Sequence, residues 1–231
     1  MTLIFDLGNT LVKFTGDVEE VNRKGVELMH RVFSLEGIHI EFDDLLKVWT
    51  EERLKAFKKA DETLKEVTAD EVLDKTLSIL QIENVPESIK KRAVDAFFTP
   101  EIEKYVLFPD TLDVLSYLKE KGHRMGLISN STCHRFVLRL MEKHGLNKFF
   151  NEILSSAGEG IRKPHPEIFR RALERLESYP EETIMVGDLE EYDVKGAKSV
   201  GMKAILFNPE WEGNTEADWV ITRLSEIKNI L

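Results

Sequence analysis

The chain has 231 residues, with 32 Lys and Arg against 42 Asp and Glu and a formal charge of −10. That length suits one large domain or a core with a smaller insert, and the acidic balance excludes the basic footprint of a nucleic-acid binder. The single cysteine, Cys133, excludes an intrachain disulfide and fits a reducing compartment. With no signal-peptide pattern and no apolar run near the ~18 residues of a membrane span, the expected location is the cytoplasm, away from membranes.

The chain opens with Thr2-Leu3-Ile4-Phe5-Asp6, an apolar run of strand length ending in a carboxylate, and Gly8-Asn9 follows as a turn. A short apolar run closed by turn residues predicts a buried strand with Asp6 at its carboxyl end. From about residue 17 to residue 100 the pattern is helical, without a convincing buried strand. Helices are expected over 18–35, stopping at Gly37, and over 42–59, with Asp43 or Asp44 as cap. Two more are expected over 69–80 and from Pro86 to just before Pro100. Four helices without a strand make a small bundle, inserted between the first strand and the rest of the sheet.

From Phe108 the style changes. Pro109-Asp110 starts a helix that ends at Gly122, and strands then alternate with helices. Strands are expected over 124–129, 152–155, 183–187, 203–208 and 219–221. Helices are expected over 132–144, 166–176, 190–200 and 224–231. Short apolar strands alternating with helices predict an α/β fold, a parallel sheet covered on both faces. Trp211-Glu212-Gly213-Asn214 reads as an exposed loop, and Cys133, with no nucleophile-pair pattern around it, as a structural residue.

Polar residues of matching kind close three strands: Asp6, then Ser129-Asn130, then Asp188 with Asp193 five residues on. In a parallel sheet these ends share the edge where ligands bind. Carboxylates crowded there raise each other's pKa unless a cation lies between them. Hard oxygen donors without His or Cys favour Mg²⁺. The Ser129 hydroxyl and the start of the helix behind it are suited to a phosphate. Lys163, in Gly160-Ile161-Arg162-Lys163-Pro164-His165-Pro166, sits in a loop stiffened by its prolines, where it could neutralise a carboxylate and a phosphate together.

These residues resemble the four motifs of the haloacid dehalogenase-like (HAD) hydrolase superfamily. Asp6-Leu7-Gly8-Asn9-Thr10 matches its Asp-x-Asp-x-Thr except at Gly8, and Leu127-Ile128-Ser129 matches the strand ending in Ser or Thr. Arg162-Lys163-Pro164 matches the lysine ahead of a helix, and Gly187-Asp188 with Asp193 matches the last acidic motif. The likeness covers residues 1–14 and about 105–231; the insert resembles the family's cap in position and helicity. It implies a Rossmann-like three-layer core over 1–14 and 105–231 and a helical cap over 15–104. It further implies a phosphatase that hydrolyses a small phosphorylated metabolite through an aspartyl-phosphate on Asp6. Mg²⁺ would be held by Asp6, the backbone carbonyl of Gly8 and Asp188, with Asp193 in support. Ser129, Asn130 and Lys163 would hold the phosphoryl group. Nothing in the sequence fixes the oligomeric state.

Gly8 is the departure. The family's phosphatases usually carry an Asp there as general acid and base, help typically worth ~10²–10⁴ in rate. Its loss matters least when the leaving group is a stable anion, as in aryl, acyl or anomeric phosphates. Arg53, His30 and Glu51 of the insert, and His165 beside Lys163, are possible substitutes by polarity and position. A phosphatase branch with the same Leu-Gly-Asn pattern exists in this resemblance. The alternatives are a metal-independent 2-haloacid dehalogenase and a phosphate-ligand-binding protein with little turnover; Asp188 argues for phosphate chemistry.

Overall fold

The structure is a computed structural model, and it describes residues 1–208 and 213–231. The loop expected at Trp211-Glu212-Gly213-Asn214 therefore falls in part outside the described residues; Gly213 and Asn214 are exposed.

Strand β1 (Thr2–Phe5) is apolar along its whole length because it is covered on both faces, and Leu3, Ile4 and Phe5 are fully buried. The chain then turns through Asn9 into a short strand, β2 (Val12–Phe14), and enters the insert. Helix α1 (Val18–Leu35) is capped by Asp17, whose carboxylate accepts from the Glu20 backbone N–H at 2.7 Å. Helix α2 (Phe42–Thr63) runs four residues past the expected end, since 60–63 contain no Gly or Pro, and stops at Leu64 in the left-handed region. Helix α3 (Ala69–Ile79) opens with a capping box between Thr68 and Glu71, and α4 (Glu87–Phe97) follows Pro86. Pro100 does not end the helical run; it sits in the first turn of a separate short helix, α5 (Thr99–Glu103).

Strand β3 (Tyr105–Leu107) returns antiparallel to β2, pairing Phe14 with Tyr105 and Val12 with Leu107. This ribbon was not expected. Strands of three residues are too short to show a period, and the pairing joins segments on either side of the whole insert.

Then come α6 (Thr111–Glu120), β4 (Arg124–Ser129), α7 (His134–Lys143), β5 (Glu152–Ser155), the turn-length α8 (Ser156–Glu159) and α9 (Pro166–Arg175). After β6 (Thr183–Gly187) the expected single helix is a wide π turn, Glu190–Val194, followed by α10 (Lys195–Lys198). Strands β7 (Lys203–Phe207) and β8 (Trp219–Ile221) complete the sheet. The closing helix begins as a 3₁₀ turn, Leu224–Glu226, before α11 (Ile227–Ile230).

The six-stranded sheet has the order β5-β4-β1-β6-β7-β8 and every pair is parallel. Successive residues of β1 face opposite ways, so the sheet has two cores. Leu3, Phe5, Leu127 and Val186 face one, which is continuous with the apolar sides of the insert helices. Ile4, Ile128, Met185 and Leu206 face the other, under α9 and α10.

The insert is also strapped to the core by backbone. Lys65 bridges Ile161 in antiparallel fashion, Arg162 N–H donates to Leu64 O at 3.1 Å, and Glu66 N–H donates to Gly160 O at 3.0 Å. The Ser156 hydroxyl donates to Glu66 Oε2 at 2.5 Å. Among the described residues, no helix is long and apolar enough to cross a membrane.

Candidate active site

Asp6 leaves the end of β1 with its N–H bonded to Val186 O at 2.9 Å, so the central pairing holds it in register. Ser129 ends β4 on one side, and Asp188 follows β6 on the other. Strand order and direction thus bring all three to one edge, although they are far apart in sequence.

Lys163 arrives from the loop before α9. It is 2% exposed, and its ammonium lies 2.6 Å from Asp6 Oδ1 and 2.6 Å from Asp193 Oδ1. Asn130 fixes that loop: its side-chain oxygen accepts from Lys163 N–H at 2.8 Å and its Nδ2 donates to Lys163 O at 2.9 Å. The Asn130 amide is thereby spent on the lysine backbone. Asp193 has both oxygens engaged, the second accepting from Leu189 N–H at 3.1 Å. It braces Lys163 instead of presenting a free oxygen. Thr10 donates its hydroxyl to Asp188 Oδ1 at 3.3 Å. Ser129 Oγ has no hydrogen-bond partner among the described residues.

These groups line a cavity of about 350 Å³ that also takes Gly8 and Asn9 from the first turn. The insert and its exit contribute Arg53, Phe57, Asp61, Phe98, Glu101 and Tyr105, and the lysine loop contributes Arg162. Of the four possible substitutes for the missing acid, only Arg53 reaches the cavity. His30 bonds Ile40 O at 2.8 Å inside the insert, Glu51 is exposed, and His165 accepts from Glu167 N–H at 3.1 Å as the cap of α9. Sequence reasoning missed Asp61, Glu101 and Tyr105, and quoted Arg162 only as the neighbour of Lys163. Helical periodicity does not say which polar face of an insert turns toward a site in another part of the chain. Cys133 is buried, and burial pushes its thiol up, as befits a structural residue.

Three carboxylates share one ammonium here. Burial pushes Asp6 up to about 6, with Lys163 opposing and Asp193 adding to the rise. Burial pushes Asp188 up to about 7, and the charges of Asp6 and Asp193 act in the same direction. Burial alone would lower Lys163, but the carboxylates of Asp193 and Asp6 hold it above its ordinary value. Asp6 and Asp188 therefore form an oxygen donor set short of positive charge. Among the described residues no cluster of three or more His, Cys, Asp or Glu side chains is arranged to hold a metal. A closed protein cage is thus missing. Two carboxylates opening on a cavity suit instead a hard divalent cation that completes its shell with water and ligand oxygens.

Gly187 lets Asp193 come this close: a Cβ on Gly187 would lie 2.2 Å from Asp193 Cγ. Gly187→Ala must push the Asp193 carboxylate off Lys163. Overpacking of this kind costs ~1–3 kcal/mol. The expected result is a melting temperature lower by about 2–12 °C, at about 2–4 °C per kcal/mol. A thermal melt that matched wild type would show that the contact relaxes freely.

Carboxylates and one buried lysine gather at the carboxyl edge of a parallel sheet beneath a helical insert, the edge where α/β enzymes bind their ligands. The family model of the haloacid dehalogenase-like hydrolases matches residues 1–201, and the chain belongs to that family; it is a hydrolase. It is 29% identical to the glyceraldehyde 3-phosphate phosphatase of Pyrococcus furiosus over 237 residues, covering 99% of this chain and 92% of the relative. The fold is shared with a HAD phosphatase from Thermococcus onnurineus (TM-score 0.64, 24% identity, 99% and 96% of the two chains). It is shared equally with a 2-haloacid dehalogenase from Pseudomonas syringae pv. Tomato DC3000 (TM-score 0.67, 22% identity, 100% and 97%).

Proposed function

We propose that the protein is a Mg²⁺-dependent phosphatase of small phosphomonoesters that works through an aspartyl-phosphate on Asp6. The observation that carries this reading is the Lys163 ammonium 2.6 Å from Asp6, with Asp188 beside them and in need of positive charge. The Pyrococcus relative, named for a phosphatase, supports it.

Asp6 keeps one oxygen on Lys163, and the other is free to attack phosphorus. A carboxylate and a phosphate dianion repel, so the attack depends on fixed positive charge and positioning. Lys163 supplies part of that charge, and the unpartnered Ser129 hydroxyl is available to a phosphoryl oxygen. Asn130 acts by holding the lysine loop in place. Mg²⁺, held by Asp6, the Gly8 carbonyl and Asp188, would supply the remaining charge at the phosphoryl group. Asp193 keeps the lysine aimed at Asp6. On this reading residues 15–104 act as the cap, closing the cavity from above and choosing the substrate.

A panel of aryl, sugar and alkyl phosphates, assayed with Mg²⁺ and after chelation, tests the proposal. Hydrolysis that is lost with EDTA and restored by Mg²⁺ is expected. Metal-independent turnover of a 2-haloacid, with every phosphate inert, would overturn it in favour of the dehalogenase.

A further inference from the structure

At Gly8 a Cβ would meet no atom within 4 Å, so the place where an acid would stand is open space facing the cavity. Four of the five carboxyls that line that cavity are engaged. Asp6 is bonded to Lys163, Asp193 has both oxygens engaged, and Asp188 accepts from Thr10. Asp61 is half exposed and pairs with Arg162 at 3.4 Å.

Glu101 is left. It lies on α5, where the insert rejoins the core, and no Lys, Arg or His nitrogen among the described residues comes within the 4.0 Å of an ion pair. Burial raises its carboxyl above the ordinary range, more than the Arg53 guanidinium draws it down, so it favours the proton-bearing form that an acid needs. Tyr105 lines the same cavity as Glu101 and Asp6, and its phenol is raised by burial and by the charges of both. A second cavity, of about 510 Å³ and lined mainly by apolar groups, meets the first at Asn9, Arg53, Phe57, Glu101 and Tyr105. Glu101 thus stands where the two cavities join, and it lines the same cavity as Asp6 and the open space at Gly8.

We propose that Glu101 is the general acid and base that Gly8 does not supply, an assignment that rests on the phosphatase reading above. As the Asp6 oxygen bonds to phosphorus, the bond from phosphorus to the leaving oxygen breaks, and that oxygen takes the proton of Glu101. The resulting Glu101 carboxylate faces Arg53 and the Tyr105 hydroxyl, which stabilise its charge. In the second half it takes a proton from the water that attacks phosphorus. The aspartyl P–O bond then breaks, inorganic phosphate leaves, and Asp6 and the protonated Glu101 are restored.

The test is the dependence on leaving group. With Mg²⁺ present, Glu101→Gln is expected to lower kcat for glycerol 3-phosphate by about 10²–10³, within the range of general acid–base help. For p-nitrophenyl phosphate, whose leaving group needs no proton, the first-turnover release of p-nitrophenol should change by less than about threefold, while steady-state turnover falls because water attack on the aspartyl-phosphate loses its base. Glu101→Asp keeps a donor on a shorter arm and is expected to retain more alkyl-phosphate turnover than Gln. Adding Gly8→Asp to Glu101→Gln should raise the alkyl rate at least tenfold, because the space at Gly8 is open. Equal losses in the first turnover of both substrates, or no loss on either, would overturn the assignment while leaving the phosphatase reading intact. A wild-type protein that hydrolyses neither ester with Mg²⁺ would remove that reading, and the role of Glu101 with it.

Discussion

Asp6→Asn is expected to abolish phosphoester turnover while leaving the fold intact. The amide cannot attack phosphorus, and removal of an enzyme's nucleophile typically lowers kcat by about 10⁴–10⁶. Stability should move the other way or not at all. Burial disfavours the charge on Asp6 in wild type, and Asn has nearly the same shape, so a buried charge disappears without a cavity. Lys163 keeps Asp193 at 2.6 Å as its counter-charge. The melting temperature of Asp6→Asn should therefore equal or exceed that of wild type. Turnover above a hundredth of the wild-type rate would show that another group attacks phosphorus. A large drop in melting temperature would show that Asp6 is structural as well.

Lys163→Met should damage chemistry and stability together. The ammonium is 2% exposed and serves two buried carboxylates. Removing one partner of a buried pair leaves an uncompensated charge and typically costs ~3–5 kcal/mol. At about 2–4 °C per kcal/mol, the melting temperature should fall by about 6–20 °C. Activity should fall by at least about 10³, since the charge facing the phosphoryl group is lost as well. The double variant Lys163→Met with Asp193→Asn tests the cause. It removes one of the orphaned charges and should recover much of the stability but none of the turnover. Recovery of neither would mean that the cost lies in packing the methionine.

The sheet and its reactive edge were legible because their signals are local. Leu3-Ile4-Phe5 ahead of Asp6, Leu127-Ile128 ahead of Ser129 and Val186-Gly187 ahead of Asp188 each combine an apolar strand with a polar end, and parallel order then aligns the ends. The division of labour within the site was less legible, because it depends on side-chain directions. Asn130, expected on a phosphate, spends its amide on the Lys163 backbone. Asp193, expected beside a metal, turns inward from the wide turn at Glu190–Val194 to brace the lysine. The β2–β3 ribbon joins segments ninety residues apart, beyond the range of any period. Glu101 gave no signal, since Pro100 beside it reads as a helix end and the active-site cavity it lines is assembled from six separate stretches.

The backbone strap between Leu64–Glu66 and Gly160–Arg162 bears on how this protein can be altered. The loop that delivers Lys163 and the α8 turn before it are stitched to the far end of α2 by three hydrogen bonds, two of them through Glu66. An engineer who swaps the insert for that of a relative, to redirect the enzyme to another alcohol, would also loosen the loop that carries its lysine. A successful chimera would keep residues 61–66 native and place its junctions upstream of them, on α2, and downstream, after Glu66. On the proposed reading, the same stitching would tie substrate range to catalytic strength: drift at the end of α2 would have to be matched by change at Gly160–Arg162, or rate would be lost before selectivity is gained.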